Sequence, residues 1–131
     1  MALHLGIGPH KGRELELMLE GVKKCALFSD ALPASGEIAE DIIPEKAFAP
    51  YVASGQFLRI ARDFHIAGHN LRCVCFTHKD EAWRAEFLLW IKGRLYGGGK
   101  VDHADEVLEG RILGYSEDEI IPYLPPTTPS L

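Results

Sequence analysis

Apolar side chains at Leu15, Met18, Leu19 and Val22 recur at intervals of three and four, with Glu14, Glu16, Glu20 and Lys23 between them. This period predicts an amphipathic helix beginning after Gly12, and Gly21 marks its end. Lys24-Cys-Ala-Leu-Phe-Ser29 is a short apolar run closed by Asp30 and Pro33, which reads as a strand. Residues 31–45 contain Pro33, Ser35, Gly36 and Pro44 and are expected to form a loop, with one helical turn near Glu37. A second short helix is expected from Glu45 to Ala53, although Pro50 removes an amide from it and threatens to interrupt it.

Two runs rich in β-branched and aromatic residues follow, Gln56 to Phe64 and Leu71 to His78. Between them His65-Ile-Ala-Gly-His-Asn70 supplies turn formers at Gly68 and Asn70, so an antiparallel hairpin is predicted. Asp80 to Tyr96 is the longest helical stretch, with Trp83, Phe87, Trp90 and Ile91 assigned to one face. Gly97-Gly-Gly99 ends it. Asp102 to Leu113 follows as another helix, with Val101, Leu108 and Ile112 spaced for burial and with Asp102, Asp105 and Glu106 at the end where the macrodipole favours negative charge. Ser116-Glu-Asp-Glu119 is a capping box for a last short helix. The tail from residue 125 to residue 131 holds three prolines and is expected to be extended and mobile. Together these elements predict one α+β domain over residues 1–124. Its small three-stranded sheet, antiparallel or mixed, is covered by three to four helices in a two-layer arrangement. Open sheet edges invite pairing with a second copy, so a homodimer is expected.

Composition narrows the functional classes. At 131 residues, with 47% hydrophobic and 25% charged residues, the chain fits one globular domain with a real core. No apolar run reaches the length of a membrane span, and no secretory signal is visible. Three cysteines are too odd a number for a disulfide framework, so a cytoplasmic location is expected. The formal charge of −5 disfavours a general nucleic-acid binder. That charge is unevenly spread: residues 56–100 carry 8 basic and 4 acidic side chains, residues 101–131 carry 1 and 7. The simplest expectation is that these opposite fields pair within the fold, and the alternative is that the basic middle meets an external anion.

The segment Leu5-Gly-Ile-Gly-Pro-His-Lys-Gly-Arg-Glu-Leu15 raises the possibility of a phosphate cradle. Gly6 and Gly12 are one residue too far apart for a Walker loop, and Gly8 and Gly12 one too far for a dinucleotide fingerprint. What survives is a helix start with His10, Lys11 and Arg13 near it, of which His10 and Arg13 are candidate anion binders. The plainer expectation is that the glycines turn the chain and that Arg13 pairs with Glu16 or Glu20.

The densest chemistry runs from Asp63 to Glu81, including His65, His69, Cys73, Cys75 and His78. Cys73 and Cys75 share one strand face and suit burial as small apolar residues. The paired Cys-x-x-Cys knuckles of a strong zinc site are missing, so no metal or other cofactor is expected. His65 or His69 as acid/base with Asp63 as orienter is the catalytic candidate, because imidazole titrates near working pH and a carboxylate can fix its tautomer. Arg59, Arg62 and Arg72 are the candidate binding residues for an anionic ligand, with strand alternation placing Arg59 on one face and Arg62 on the other. The leading expectation is a small self-associating binding protein that uses this basic hairpin to contact an acidic protein surface or a small anion, without membrane or nucleic-acid partners. The runner-up is an enzyme acting on an anionic metabolite at the hairpin turn, through the His/Asp pair or through a metal site made by His65, His69 and one cysteine.

Overall fold

A computed structural model describes residues 9–99 and 102–121 of the chain. The first helix, α1 (Glu14–Leu19), is shorter than its periodic pattern, because the chain turns at Gly21 with a φ of 79°. Met18 is therefore buried, while Leu19 and Val22 remain exposed. The first strand, β1 (Cys25–Ala31), extends two residues past the apolar run. Helix α2 (Glu45–Ala53) forms with Pro50 inside it. Its N-terminus is secured from the preceding loop: the Glu40 carboxylate accepts from the backbone amides of Lys46 and Ala47 at 2.9 and 3.0 Å. Amides of the first helical turn have no intrahelical acceptor, so a carboxylate at this place satisfies two of them and meets the positive end of the helix.

Strands β2 (Phe57–Ile66) and β3 (His69–His78) pair without interruption, from Phe57 opposite His78 to Ile66 opposite His69. The connection is thus only Ala67-Gly68, and His65, His69 and Asn70 belong to the strands rather than to a six-residue turn. Both linking residues have positive φ, 49° at Ala67 and 82° at Gly68, the mark of a type I′ turn. Strand β1 pairs antiparallel with the other side of β3, so the sheet order is β1-β3-β2. Helices α3 (Ala82–Tyr96), α4 (His103–Ile112) and α5 (Glu117–Ile120) complete the described residues. Capping boxes start the last two: Asp102 with Asp105, and Ser116 with Glu119. The fold is α+β, a three-stranded antiparallel sheet plus five helices among the described residues. Residues 1–8 with Gly6 and Gly8, Val101, and the proline-rich tail lie outside the described residues.

Register assigns every strand residue to a face. On one face Phe28, Phe57, Val74 and Phe76 pack with Met18 of α1 and Phe48 of α2. The rings of Phe48 and Phe76 stack with centroids 4.1 Å apart. On the other face Cys25 and Cys75 pack with Ala85 and Leu88 of α3 and Ile112 of α4. The helical cover is accordingly divided, and the sheet lies between its two parts. Helix α3 is rotated from the expected orientation. Ala85, Leu88, Leu89 and Ile91 are buried, whereas Trp83 and Trp90 are about half exposed, with the Arg84 and Arg94 guanidinium groups over their rings at 4.7 and 5.0 Å. Small residues permit the close approach: a Cβ placed at Gly93 would already touch Phe64 of β2 at 3.4 Å. In α4, Leu108 is exposed and Gly110 takes the buried position, against Ile120.

Ala67 has the one positive φ outside glycine among the described residues. The left-handed region costs an alanine about 1 kcal/mol, and asparagine tolerates it far better. Ala67→Asn is expected to raise stability by roughly 0.5–1 kcal/mol, seen as a higher urea midpoint with an unchanged slope.

Candidate functional site

Edge strand β2 carries most of the candidate site. An open depression of about 290 Å³ is lined by Arg59, Ala61, Arg62, Asp63 and Arg72. Arg59, Ala61 and Asp63 share the face of Arg72, because Asp63 stands directly opposite Arg72 in the register. Arg62 also borders the depression, although alternation assigns its side chain to the opposite face, and it has no ion-pair partner among the described residues.

Two of the three guanidinium groups are held by carboxylates. Arg59 donates from Nε and Nη2 to Glu45, the first residue of α2, at 2.8 and 2.6 Å. Arg72 donates from the same two nitrogens to Asp63 at 2.8 and 2.9 Å. The Arg72 hydrogen bonds hold the Asp63 carboxyl below the usual carboxylate range. Both pairs are largely exposed, so their value to stability is small. Their value to a site is geometric. A guanidinium has two forks, and a carboxylate on the Nε/Nη2 side leaves the Nη1/Nη2 end able to take another oxyanion. Carboxylates of the closing helices pair with other cations of the basic middle: Glu109 with Lys92 at 2.7 Å and Asp105 with Arg94 at 3.8 Å.

The histidines do not converge. His65 shares the Asp63 face, while His69 stands opposite Ile66 and so faces the other way. His65 Nδ1 donates to the Asn70 side-chain oxygen at 2.9 Å, and Asp63 is committed to Arg72. At the far end of the strand His78 Nε2 donates to the Met18 carbonyl at 2.9 Å and packs on Phe57. Cys25, Cys73 and Cys75 are free and fully buried. The contact with Cys25 and burial push the Cys75 thiol up, and burial pushes Cys73 up, so both are protonated, apolar fillers. Among the described residues no cluster of three or more His, Cys, Asp or Glu side chains could hold a metal ion.

A second group of polar residues was hidden in the sequence. Lys23 is buried with 1% exposure, as is His10 with 5%, in place of the open helix-start site that His10 and Arg13 suggested. Lys23 Nζ donates to His10 Nδ1 at 3.1 Å and to the Leu113 carbonyl, and lies 4.6 Å from the centre of the Tyr115 ring. An ammonium can only donate, so Nδ1 accepts and the imidazole proton sits on Nε2, facing the Glu119 carboxylate at 3.3 Å. Glu119 also accepts from the Ser116 amide at 2.8 Å as part of the capping box. One chain of contacts thereby joins the segment before α1 to α5. Burial, and then the Lys23 charge, lower the His10 pKa. Arg13 makes no ion pair with Glu16 or Glu20 among the described residues; its Nη2 reaches the Pro9 carbonyl at 3.5 Å.

Burial lowers the Lys23 pKa from 10.5 to about 8. Between those values the unfolded chain binds more protons than the folded one, so this residue's contribution to stability rises with pH. Compared with Lys23→Met, the wild type is expected to gain up to about 1 kcal/mol per pH unit from pH 8 to 10. Urea midpoints of both proteins across pH 7–10 measure this, and a constant difference would show Lys23 to be solvated.

Among the described residues no helix is long and apolar enough to cross a membrane. No protein-family model, no curated protein and no solved structure matches the chain.

Proposed function

We propose that this protein is a small binding module that captures an anionic group on the exposed face of its β2–β3 hairpin. The observation that carries the reading is the placement of Arg59 and Arg72 on one face around an open depression that Arg62 borders, with Arg59 oriented by Glu45 and Arg72 by Asp63. A pre-oriented guanidinium loses little side-chain freedom on binding, which favours recognition of a carboxylate or phosphate by paired hydrogen bonds. Asp63 serves as the brace of Arg72, which is a positioning role. His65 and His69 lie on opposite faces, and this supports binding over acid/base catalysis at the turn.

Inorganic phosphate is the simplest probe. Titration at low salt, followed through the backbone amide signals of β2 and β3, is expected to shift residues around Arg59 and Arg72. Charge-assisted hydrogen bonds contribute about 1.5–3 kcal/mol each, so Arg59→Ala and Arg72→Ala should each weaken binding about tenfold or more. Added sodium chloride should weaken it further. Binding that ignores both salt and these substitutions would remove the hairpin as the site.

A further inference from the structure

We propose that the natural ligand is an extended acidic segment of another protein, added as a fourth strand along the outer edge of β2. This rests on the anion-binding reading above and specifies the partner. Strand β2 is the outer strand of the sheet, ten residues long, paired with β3 over its whole length without a bulge or a proline. Among the described residues no backbone hydrogen bond from any element other than β3 reaches residues 58–66. Sheet edges left in this state accept a further strand unless charge, bulges or a cover prevents it. The other edge strand, β1, differs: Cys25, Ala26, Phe28 and Ser29 are all buried, whereas β2 from Ala61 onward is mostly exposed.

Charge decides which strand fits. Arg59 and Arg62 are three residues apart, which in a strand separates them by about 10 Å and sends them to opposite faces. A compact anion meets one face of the sheet at a time. An extended chain beside β2 also alternates, so two carboxylates three residues apart reach both faces, one beside Arg59 and one beside Arg62. On the Arg59 face, Arg72 adds its remaining fork from one strand further in. A second copy of the chain is disfavoured at this edge, since Arg59 is held by Glu45 and Asp63 by Arg72, which leaves Arg62 as the charge of β2 without an ion-pair partner among the described residues. Edge-to-edge pairing of two such strands sets net positive charge against net positive charge.

The test uses the full chain and three fluorescein-labelled seven-residue peptides of Thr, Val and two Glu. In the first the glutamates are three apart; in the second they are four apart, on one face of an extended chain. The third repeats the first with alternate backbone amides methylated on the edge that would face β2. The first peptide is expected to bind at least tenfold more tightly than either other, by fluorescence anisotropy, and to slow amide hydrogen exchange in residues 58–66. Arg62→Ala should erase its advantage over the second peptide. Equal binding of all three peptides would overturn the added strand and leave a plain anion site. Protection of the β2 amides that grows with protein concentration, without peptide, would overturn it in favour of a second copy. If neither these peptides nor phosphate perturbs β2, the added strand and the anion site fall together.

Discussion

Strand β3 lies between two others and is buried on both faces from Cys73 to Thr77, and the rest of the molecule is arranged around this constraint. A central strand has every backbone group paired, so its side chains alone decide what covers it. Phe76 and Val74 draw α1 and α2 to one face; Cys75, with Cys25 of β1, draws α3 and α4 to the other. Cysteine and alanine are small, so α3 can come close to the sheet, and Phe64 closes the space at Gly93. On the Arg59 face the cover runs out from Ala61 onward, where Asp63 and His65 are exposed, while Phe64 on the other face still packs on Tyr96 of α3. Polar and charged residues can occupy that uncovered stretch because nothing there needs to be dry.

Exposure also explains the form of the electrostatics. Arg59–Glu45 and Arg72–Asp63 are paired through two hydrogen bonds each, yet they sit at the surface, where water screens them. Such pairs add little to stability but restrict where a guanidinium can point. The Lys92–Glu109 pair between α3 and α4 is more enclosed, with side-chain exposures of 17% and 12%, and ties the acidic helix to the basic one. The opposite fields of the middle and the end of the chain therefore cancel along α3 and α4. Positive charge remains toward the edge of β2.

Lys23 presents the reverse case. A buried ammonium is costly unless its donors are met, and here an imidazole nitrogen, a helix-terminal carbonyl and an aromatic face surround it. Its partners come from residues 10, 113 and 115, all distant along the chain. Gly114, with a φ of 86°, lets the backbone pass close to the lysine stem, where a Cβ would meet Lys23 Cγ at 3.5 Å. The group acts as a polar tie between the segment before α1 and the end of the described fold.

Local order was written in the sequence: the helix stops at Gly21 and Gly97, the strand character of Leu71 to His78, the Ser116 capping box and the α+β class all follow from short-range patterns. These depend on backbone preference and periodicity, which neighbours in sequence settle. Whether Trp83 or Ala85 faces the sheet, whether His10 meets solvent or Lys23, and whether Asp63 holds His65 or Arg72 depended on which surfaces came together. Both tryptophans follow a buried-looking spacing, yet Ala85, Leu88, Leu89 and Ile91 took the inner face, leaving the indoles at the surface beneath Arg84 and Arg94. Asp63 sits two residues from His65 in sequence, but antiparallel pairing placed Arg72 directly across from it at hydrogen-bond distance. Periodicity is a property of a segment; contact is a property of two segments, and only the folded arrangement supplies the second.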